Sequence, residues 1–267
     1  MNYGPATTAT RNLFGAAVSF AMVFAATVAA SAQPSPNLDV IFVPTPMEVV
    51  ERMLTLADVK KGEFLIDLGC GDGRIPVTAA KKYGARGLCV DLDPTRIKEA
   101  NERVKNEGVG DSVEVRQQNL FDTDITKADV ISMYLLPELN RRLRPRILDL
   151  RPGTRIVSHA FDMGEWKPDQ EENVNGRRAY LWIVPAKVEG KWNVQSGDKK
   201  FDLDVKQSFQ EVSGEAQIDG KSVPIQNGKL KGKEISFEVQ LDGKTQSFRG
   251  EVDGGAIKGS GWQAKKS

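Results

Sequence analysis

The residues best placed to do chemistry fall in one run, Asp67-Leu68-Gly69-Cys70-Gly71-Asp72-Gly73-Arg74, where three glycines alternate with carboxylates directly behind an apolar stretch. A glycine-rich turn between a strand and a helix lets a ligand approach bare backbone where the helix N-terminus opens. Dinucleotide-binding loops space their glycines G-x-G-x-x-G and seat a diphosphate there. This loop reads G-x-G-x-G and brings Asp67 and Asp72 to the site; two carboxylates repel a diphosphate and suit a cation. A second apolar stretch, Gly87-Leu88-Cys89-Val90, ends in Asp91, about 20 residues past the loop, where a carboxylate can accept both hydroxyl hydrogens of a ribose. Asn119 follows a third such run, Tyr134 a fourth and His159 a fifth. A tyrosine hydroxyl at a strand's carboxyl end can orient an amine, and the chain's single histidine can act as a base near neutral pH. A packed aromatic and a hydrogen-bonded structural histidine are the plain alternatives, and Asp162 is a weaker candidate base.

Alternating strands and helices must position these residues. Apolar residues at helical spacing between Pro46 and Ala57 (Val49, Val50, Met53, Leu54, Leu56) predict an entry helix. Strand-length runs then alternate with helical patterns as far as the run ending in His159, which implies crossover units and a mostly parallel sheet covered on both faces. Asp93-Pro94 supplies a cap and a first-turn proline for one helix, and Gly108 its stop; Gly84 ends the helix that follows Gly73. Asn175-Gly176 joins two strands near residues 165–187 as an antiparallel pair closing the sheet. Beyond Val188 the rhythm is period two, with Asp219-Gly220, Asn227-Gly228, Asp242-Gly243 and Asp253-Gly254 read as four tight hairpin turns. The expected fold class is α/β: a doubly wound, mostly parallel seven-strand Rossmann-like sheet, with a C-terminal all-β domain built as an antiparallel meander, small barrel or sandwich. The expected division is a signal peptide over 1–32, a linker and covering segment over 33–45, a catalytic domain over 46–187 and the antiparallel β domain over 188–267.

The first residues stand apart. Arg11 precedes an apolar run that ends in Ala30-Ser31-Ala32 before Gln33-Pro34, the pattern of a secretory signal peptide cleaved after Ala32. An uncleaved membrane anchor is the alternative. Either way the remainder is expected outside the cytoplasm, in the periplasm if cleaved. Of 37 basic and 36 acidic residues only Arg11 leaves with that segment, so the mature formal charge is 37 − 1 − 36 = 0, a balance that gives no support to non-specific nucleic-acid binding. The arginines at 141, 142, 144, 146, 151 and 155 are interspersed with Glu138 and Asp149 and read as a solvated helix face. Two cysteines, Cys70 and Cys89, make no disulfide framework, and none is expected.

Asp-Leu-Gly-Cys-Gly-Asp-Gly-Arg followed by Gly-Leu-Cys-Val-Asp-Leu-Asp-Pro resembles the first two motifs of the class I S-adenosylmethionine-dependent methyltransferases. The resemblance covers about residues 39–188. It implies that Asp67, Gly69 and Gly71 surround the methionine end of S-adenosyl-L-methionine, that Asp91 holds its ribose, and that Asn119 meets the adenine amino group. It implies neither a metal nor a covalent nucleophile, because the sulfonium is already a good leaving group. Base-amine methyltransferases carry N/D-P-P-Y/F after the fourth strand; here Ser132-Met133-Tyr134-Leu135 stands instead, which disfavours a nucleobase acceptor. With Val-Ile-Phe-Val-Pro-Thr-Pro near the start, the segment Tyr-Leu-Leu-Pro-Glu-Leu-Asn is similar to the seven-strand protein lysine methyltransferases and their bacterial relatives, so that Phe42, Val43, Pro44 and Thr45 fold over the cofactor. The implied activity is methyl transfer to an amine or other nucleophile, a protein lysine among them, with Tyr134 and His159 on the acceptor side. A non-catalytic envelope binding protein that keeps this fold is the alternative.

Overall fold

Apolar side chains one turn apart define the first helix, α1 (Met47–Leu56), which buries Val49, Val50, Met53 and Leu54 completely. Each such side chain contributes about 1.5–3 kcal/mol by leaving water. The computed structural model describes residues 1–4 and 42–267. Met1–Ser35 is one unit and Pro36–Ser267 another. The apolar run and its cleavage pattern, and residues 33–41 of the 33–45 linker, lie outside the described residues. No described helix is long and apolar enough to cross a membrane.

Seven strands follow: β1 (Phe64–Leu68), β2 (Arg86–Asp91), β3 (Val113–Gln117), β4 (Val130–Met133), β5 (Arg155–His159), β6 (Gln170–Val174) and β7 (Arg177–Ile183). They form one sheet in the order β3-β2-β1-β4-β5-β7-β6, with β1 to β5 mutually parallel and β7 antiparallel to both neighbours. Successive residues of a strand face opposite sides. Thus Leu65, Val130 and Val157 pack beneath α1, while Ile66, Ile131 and Ile156 pack beneath α4 (Pro137–Leu148). The other crossovers are α2 (Arg74–Thr78), continued by a wider turn over Ala79–Tyr83 and stopped by left-handed Gly84, and α3 (Pro94–Asn106). Asp93 caps α3 by accepting from the Thr95 N–H at 2.8 Å. Strand order reverses between β1 and β4, so a crevice opens there above their carboxyl ends, where open α/β sheets bind ligands.

The C-terminal β domain contains β8 (Gly190–Ser196), β9 (Lys199–Ser208), β10 (Glu211–Ile218), β11 (Lys221–Pro224), β12 (Gln226–Lys231), β13 (Glu234–Leu241), β14 (Lys244–Asp253), β15 (Ala256–Gly259) and β16 (Trp262–Lys266). Pairing of β10 with β9 and of β16 with β8 closes it into an antiparallel barrel, with β11 folded back on β10. Phe237, Phe248 and Trp262 stack and tilt against one another inside. Of the four predicted turns, Asp219-Gly220 and Asp242-Gly243 form as expected, with positive φ at both residues. At Asp253-Gly254 the loop is displaced by one residue, because Asp253 still pairs with Ala256. Asn227-Gly228 is corrected: it is a bulge inside β12, where the register shifts between Gln226 and Lys229. Only glycine fits at 228, since a Cβ there would lie 2.2 Å from the Val212 carbonyl oxygen.

The disulfide expectation is also corrected. Cys70 and Cys89 are bonded, with Cα atoms 5.3 Å apart. The loop after β1 is drawn onto β2 because the Gly69 and Cys70 N–H groups both donate to the Val90 carbonyl, at 2.9 and 3.0 Å. That places Cys70 beside a strand residue 19 positions away, a proximity that the count of cysteines could not reveal.

Candidate active site

A cavity above β1, β2 and β4 is walled by the glycine loop, by Asp91 at the end of β2, by Gln118 and Asn119 after β3, by Tyr134 and Leu135 after β4, and by the Phe42–Thr45 segment. Gly69, Gly71 and Gly73 all have positive φ, so the loop needs glycine for its path as well as for access. A Cβ on Gly69 would lie 2.9 Å from Leu135 Cδ2, and one on Gly71 2.1 Å from Phe42 Cε2.

Asp67 is 2% exposed, and Ser132 donates to its Oδ1 at 2.7 Å. Its Oδ2 is buried without a partner. Burial, offset in part by the Ser132 hydrogen bond and reinforced by the charges of Asp91 and Asp72, pushes this carboxyl up to about 7. A buried oxygen with no donor costs about 1–3 kcal/mol or more, and an ammonium group entering the cavity would satisfy it. The residues therefore fit the cation expected there.

Asp72 behaves differently from its sequence reading. Arg74 donates to both of its oxygens, at 2.9 and 2.6 Å, and Arg103 donates at 2.6 Å. Burial pushes the Asp72 carboxyl up, but the Arg74 hydrogen bond and the two guanidinium charges outweigh it and hold it below its ordinary value. Its charge is already matched, so Asp67 is the carboxylate left for a ligand. Asp91 accepts from the Gly71 N–H at 2.8 Å and the Asp93 N–H at 2.9 Å, one on each oxygen, so each oxygen of this cavity-lining carboxylate keeps capacity to accept another hydrogen bond. Asn119 Oδ1 accepts from the Phe121 N–H at 2.9 Å, capping a short turn, while the residue lines the cavity wall.

A second cavity lies on the other side of Tyr134, Val43 and Pro44, and is bounded further by His159, Ala160 and the β6–β7 turn at Gly176, Arg177 and Arg178. The Tyr134 ring packs on His159 at 4.0 Å between centroids and on Phe161 at 5.9 Å. Thr45 Oγ1 lies 3.2 Å from His159 Nδ1, and the Thr45 carbonyl accepts from Arg74 at 2.7 Å. Ala160 holds φ +63 in a tight turn in which the Phe161 N–H donates to the His159 carbonyl at 2.8 Å. Asn140, fully buried on α4, secures that turn by donating to the Asp162 carbonyl at 3.0 Å. His159 is 3% exposed; burial and the Arg177 charge push its imidazole down to about 4. The ring is therefore neutral near pH 7. A base that weak stands about six units below an ordinary lysine ammonium, so the geometry suits it to orienting an acceptor rather than deprotonating one.

Of the eight anticipated residues, Thr45, Asp67, Gly69, Asp91, Asn119 and Tyr134 line the first cavity and Tyr134 and His159 the second, while Gly71 sits in the glycine loop and donates its N–H to Asp91. Ser132, Arg74 and Arg103 were missed. Asp67 pairs across the sheet with Ser132, a relation that exists only once β1 and β4 are known to be neighbours. The α4 arginines are mainly structural: Arg144 donates to the Met163 carbonyl at 2.8 Å, Arg146 to the Thr123 carbonyl at 2.6 Å, and Arg142 lies over the Phe121 ring.

Comparison with known proteins agrees with this geometry. Residues 67–170 match the ANTKMT methyltransferase domain. A protein-lysine N-methyltransferase from Saccharolobus islandicus is 38% identical over 149 residues, 54% of this chain and 92% of that protein. A lysine N-methyltransferase of Rattus norvegicus, named for the ATP synthase, is 28% identical over 129 residues, 48% of this chain and 59% of the relative. A solved structure described as an RNA methyltransferase from Salinibacter ruber, in complex with S-adenosyl-L-homocysteine, is 49% identical, covers 55% of this chain and 96% of its own, and superposes with a TM-score of 0.54. These matches do not favour a non-catalytic binding protein. With 38% identity across 92% of one methyltransferase, and with the glycine loop, Asp67 and Asp91 lining one cavity, the chain belongs to the class I S-adenosylmethionine-dependent methyltransferases.

Proposed function

We propose that the acceptor is an amine of a protein, a lysine side chain, and that the enzyme works outside the cytoplasm. The observation that carries the first part is the second cavity, separated from the cofactor cavity by Tyr134, Val43 and Pro44. S-adenosyl-L-methionine, when bound, supplies an electrophilic methyl group on a sulfonium. The chain's own residues then have to hold a neutral amine in line and keep water out. Tyr134 and neutral His159 border this second cavity together, a place where the amine of a long, unbranched side chain can be oriented. Similarity to protein-lysine methyltransferases supports the same acceptor. RNA is less well served, because Arg144 and Arg146 are committed to backbone carbonyls and no base-gripping Asn-Pro-Pro-Tyr sequence follows β4.

The second part is supported by the signal-like segment before Gln33 and by the Cys70–Cys89 disulfide, since such bonds persist in oxidising compartments. The cofactor would then have to reach an exported domain. A reporter fused after Val188 reads which side of the membrane the domain occupies, and cytoplasmic activity of the reporter would overturn export.

For the acceptor, the full chain is incubated with methyl-labelled cofactor and separate protein and RNA fractions, beside an Asp67→Asn control. Label in lysine that disappears in the control is the expected result. Label in RNA with none in protein would overturn the assignment.

A further inference from the structure

The acceptor cavity has a charged mouth, and its sign is informative. Arg177 and Arg178 open β7 beside the Asn175-Gly176 turn and line the cavity with Tyr134 and His159; among the described residues, no carboxylate joins that lining. Both guanidinium groups are weakly held. Arg177 comes no closer than 3.8 Å to Glu48, and its side chain is 49% exposed. Arg178 lies 3.5 Å from Glu171 and 3.4 Å from the Tyr180 hydroxyl, and is 63% exposed. By contrast, Arg74, Arg103 and Arg155 each donate to a carboxylate at 2.7 Å or less. The two mouth arginines thus keep free N–H donors in the fork geometry that grips a carboxylate.

Their position relative to the reaction adds a second constraint. The backbone ties Arg178 to the acceptor turn, because the Ala160 N–H donates to the Arg178 carbonyl at 2.8 Å. A side chain that reaches Tyr134 in this cavity brings its neighbouring residues close to Arg177 and Arg178, which line it and whose side chains are 49% and 63% exposed. A second cation beside the target amine would be repelled, and an anion would be held.

Resting on the protein-amine reading above, we infer that the substrate is a lysine flanked by an acidic residue, and that Arg177 and Arg178 select it by pairing with that carboxylate. Asp or Glu within one or two positions of the target lysine supplies the partner.

The test uses the full chain and three peptides identical except beside a single lysine, where they carry Glu, Gln or Lys. Methyl transfer gives kcat and KM for each, and calorimetry gives cofactor affinity. The expected result is a preference for the Glu peptide over the Gln peptide of about five- to tenfold, expressed in KM, as suits one partly exposed charged hydrogen bond. The Lys peptide should be poorer still. R177Q and R178Q should each erode the preference, and R178E should shift it toward the Lys peptide, all with cofactor affinity unchanged. Equal methylation of all three peptides by the unaltered chain overturns the inference and leaves the lysine assignment standing. Cofactor binding without methylation of any peptide overturns both.

Discussion

Replacing Asp67 with Asn separates the two demands placed on one buried carboxyl. In the folded chain it titrates at about 7, against about 3.9 for an unperturbed aspartate. A carboxyl whose folded pKa is raised contributes its full stability below the unfolded value, and that contribution is lost as pH rises toward the folded value. Three pKa units at about 1.36 kcal/mol each set an upper limit of about 4 kcal/mol for the whole loss, of which roughly 3 kcal/mol falls between pH 5 and pH 8. Asn is isosteric, stays neutral, and can still accept from the Ser132 hydroxyl that now donates to Oδ1 at 2.7 Å. Urea denaturation of the cofactor-free protein should therefore show wild type weakening by roughly 3 kcal/mol more than Asp67→Asn across that interval. Cofactor binding should move the other way. The variant loses a charge-assisted hydrogen bond to the ligand's ammonium, about 1.5–3 kcal/mol, so its affinity should fall roughly 10- to 150-fold. Wild-type affinity should weaken about tenfold per pH unit below pH 7, because the ionised form is the one that binds. A variant with the wild-type pH dependence of stability and less than about a threefold loss of affinity would refute the assignment of Asp67 to the ammonium.

The remaining predictions concern the loop and the acceptor turn. Reducing Cys70–Cys89 with a phosphine should lower stability by about 3 kcal/mol, the chain-entropy value for a loop of this length, and a Cys70→Ala/Cys89→Ala variant should be insensitive to reductant in the same urea titration. Gly71→Ala places a Cβ 2.1 Å from Phe42 Cε2 at a backbone φ of +55. Its cofactor affinity should drop more than about tenfold, and in a Phe42→Ala background the same change should cost less but not nothing, since the shared contact is gone while the left-handed backbone at 71 stays strained. At Ala160, φ +63 tolerates glycine but not a β-branched residue. Ala160→Val should be less stable than Ala160→Gly by about 1–3 kcal/mol and should raise acceptor KM, because the turn holds His159 and Phe161 against Tyr134.

Most of the fold was legible because its signals are local. The stripe Val49, Val50, Met53, Leu54 predicts α1, Asp93-Pro94 predicts the start of α3, and Asn175-Gly176 predicts the β6–β7 turn; each forms as read. What was not legible depends on which strands become neighbours. Asn227-Gly228 has the composition of a hairpin turn and becomes a bulge, because β12 must bend to pair with both β13 and β10. Cys70 and Cys89 looked like unrelated thiols until the shared Val90 carbonyl pulled the loop onto β2. Asp72 looked equivalent to Asp67, yet Arg103, 31 positions away on α3, folds back to match its charge. The glycine loop could be read as a site, but the division of labour between its two acids is set by tertiary contacts that no spacing rule carries.

The short Phe42–Thr45 segment then acquires a role larger than covering a cofactor. Val43 and Pro44 border both cavities, Thr45 contacts His159 in one and receives Arg74 from the other, and Phe42 lies close enough on Gly71 to exclude a methyl group there. Arg74 is the same residue that neutralises Asp72. The backbone path of the loop, the charge of its second acid and the wall of the acceptor cavity are thus joined through one guanidinium and one threonine. The same segment therefore forms part of the wall of each cavity. Phe42 and Val43 remain exposed on their outer side, so the segment is held through its inner face, by Phe42 on Gly71 and by Thr45 on His159 and Arg74.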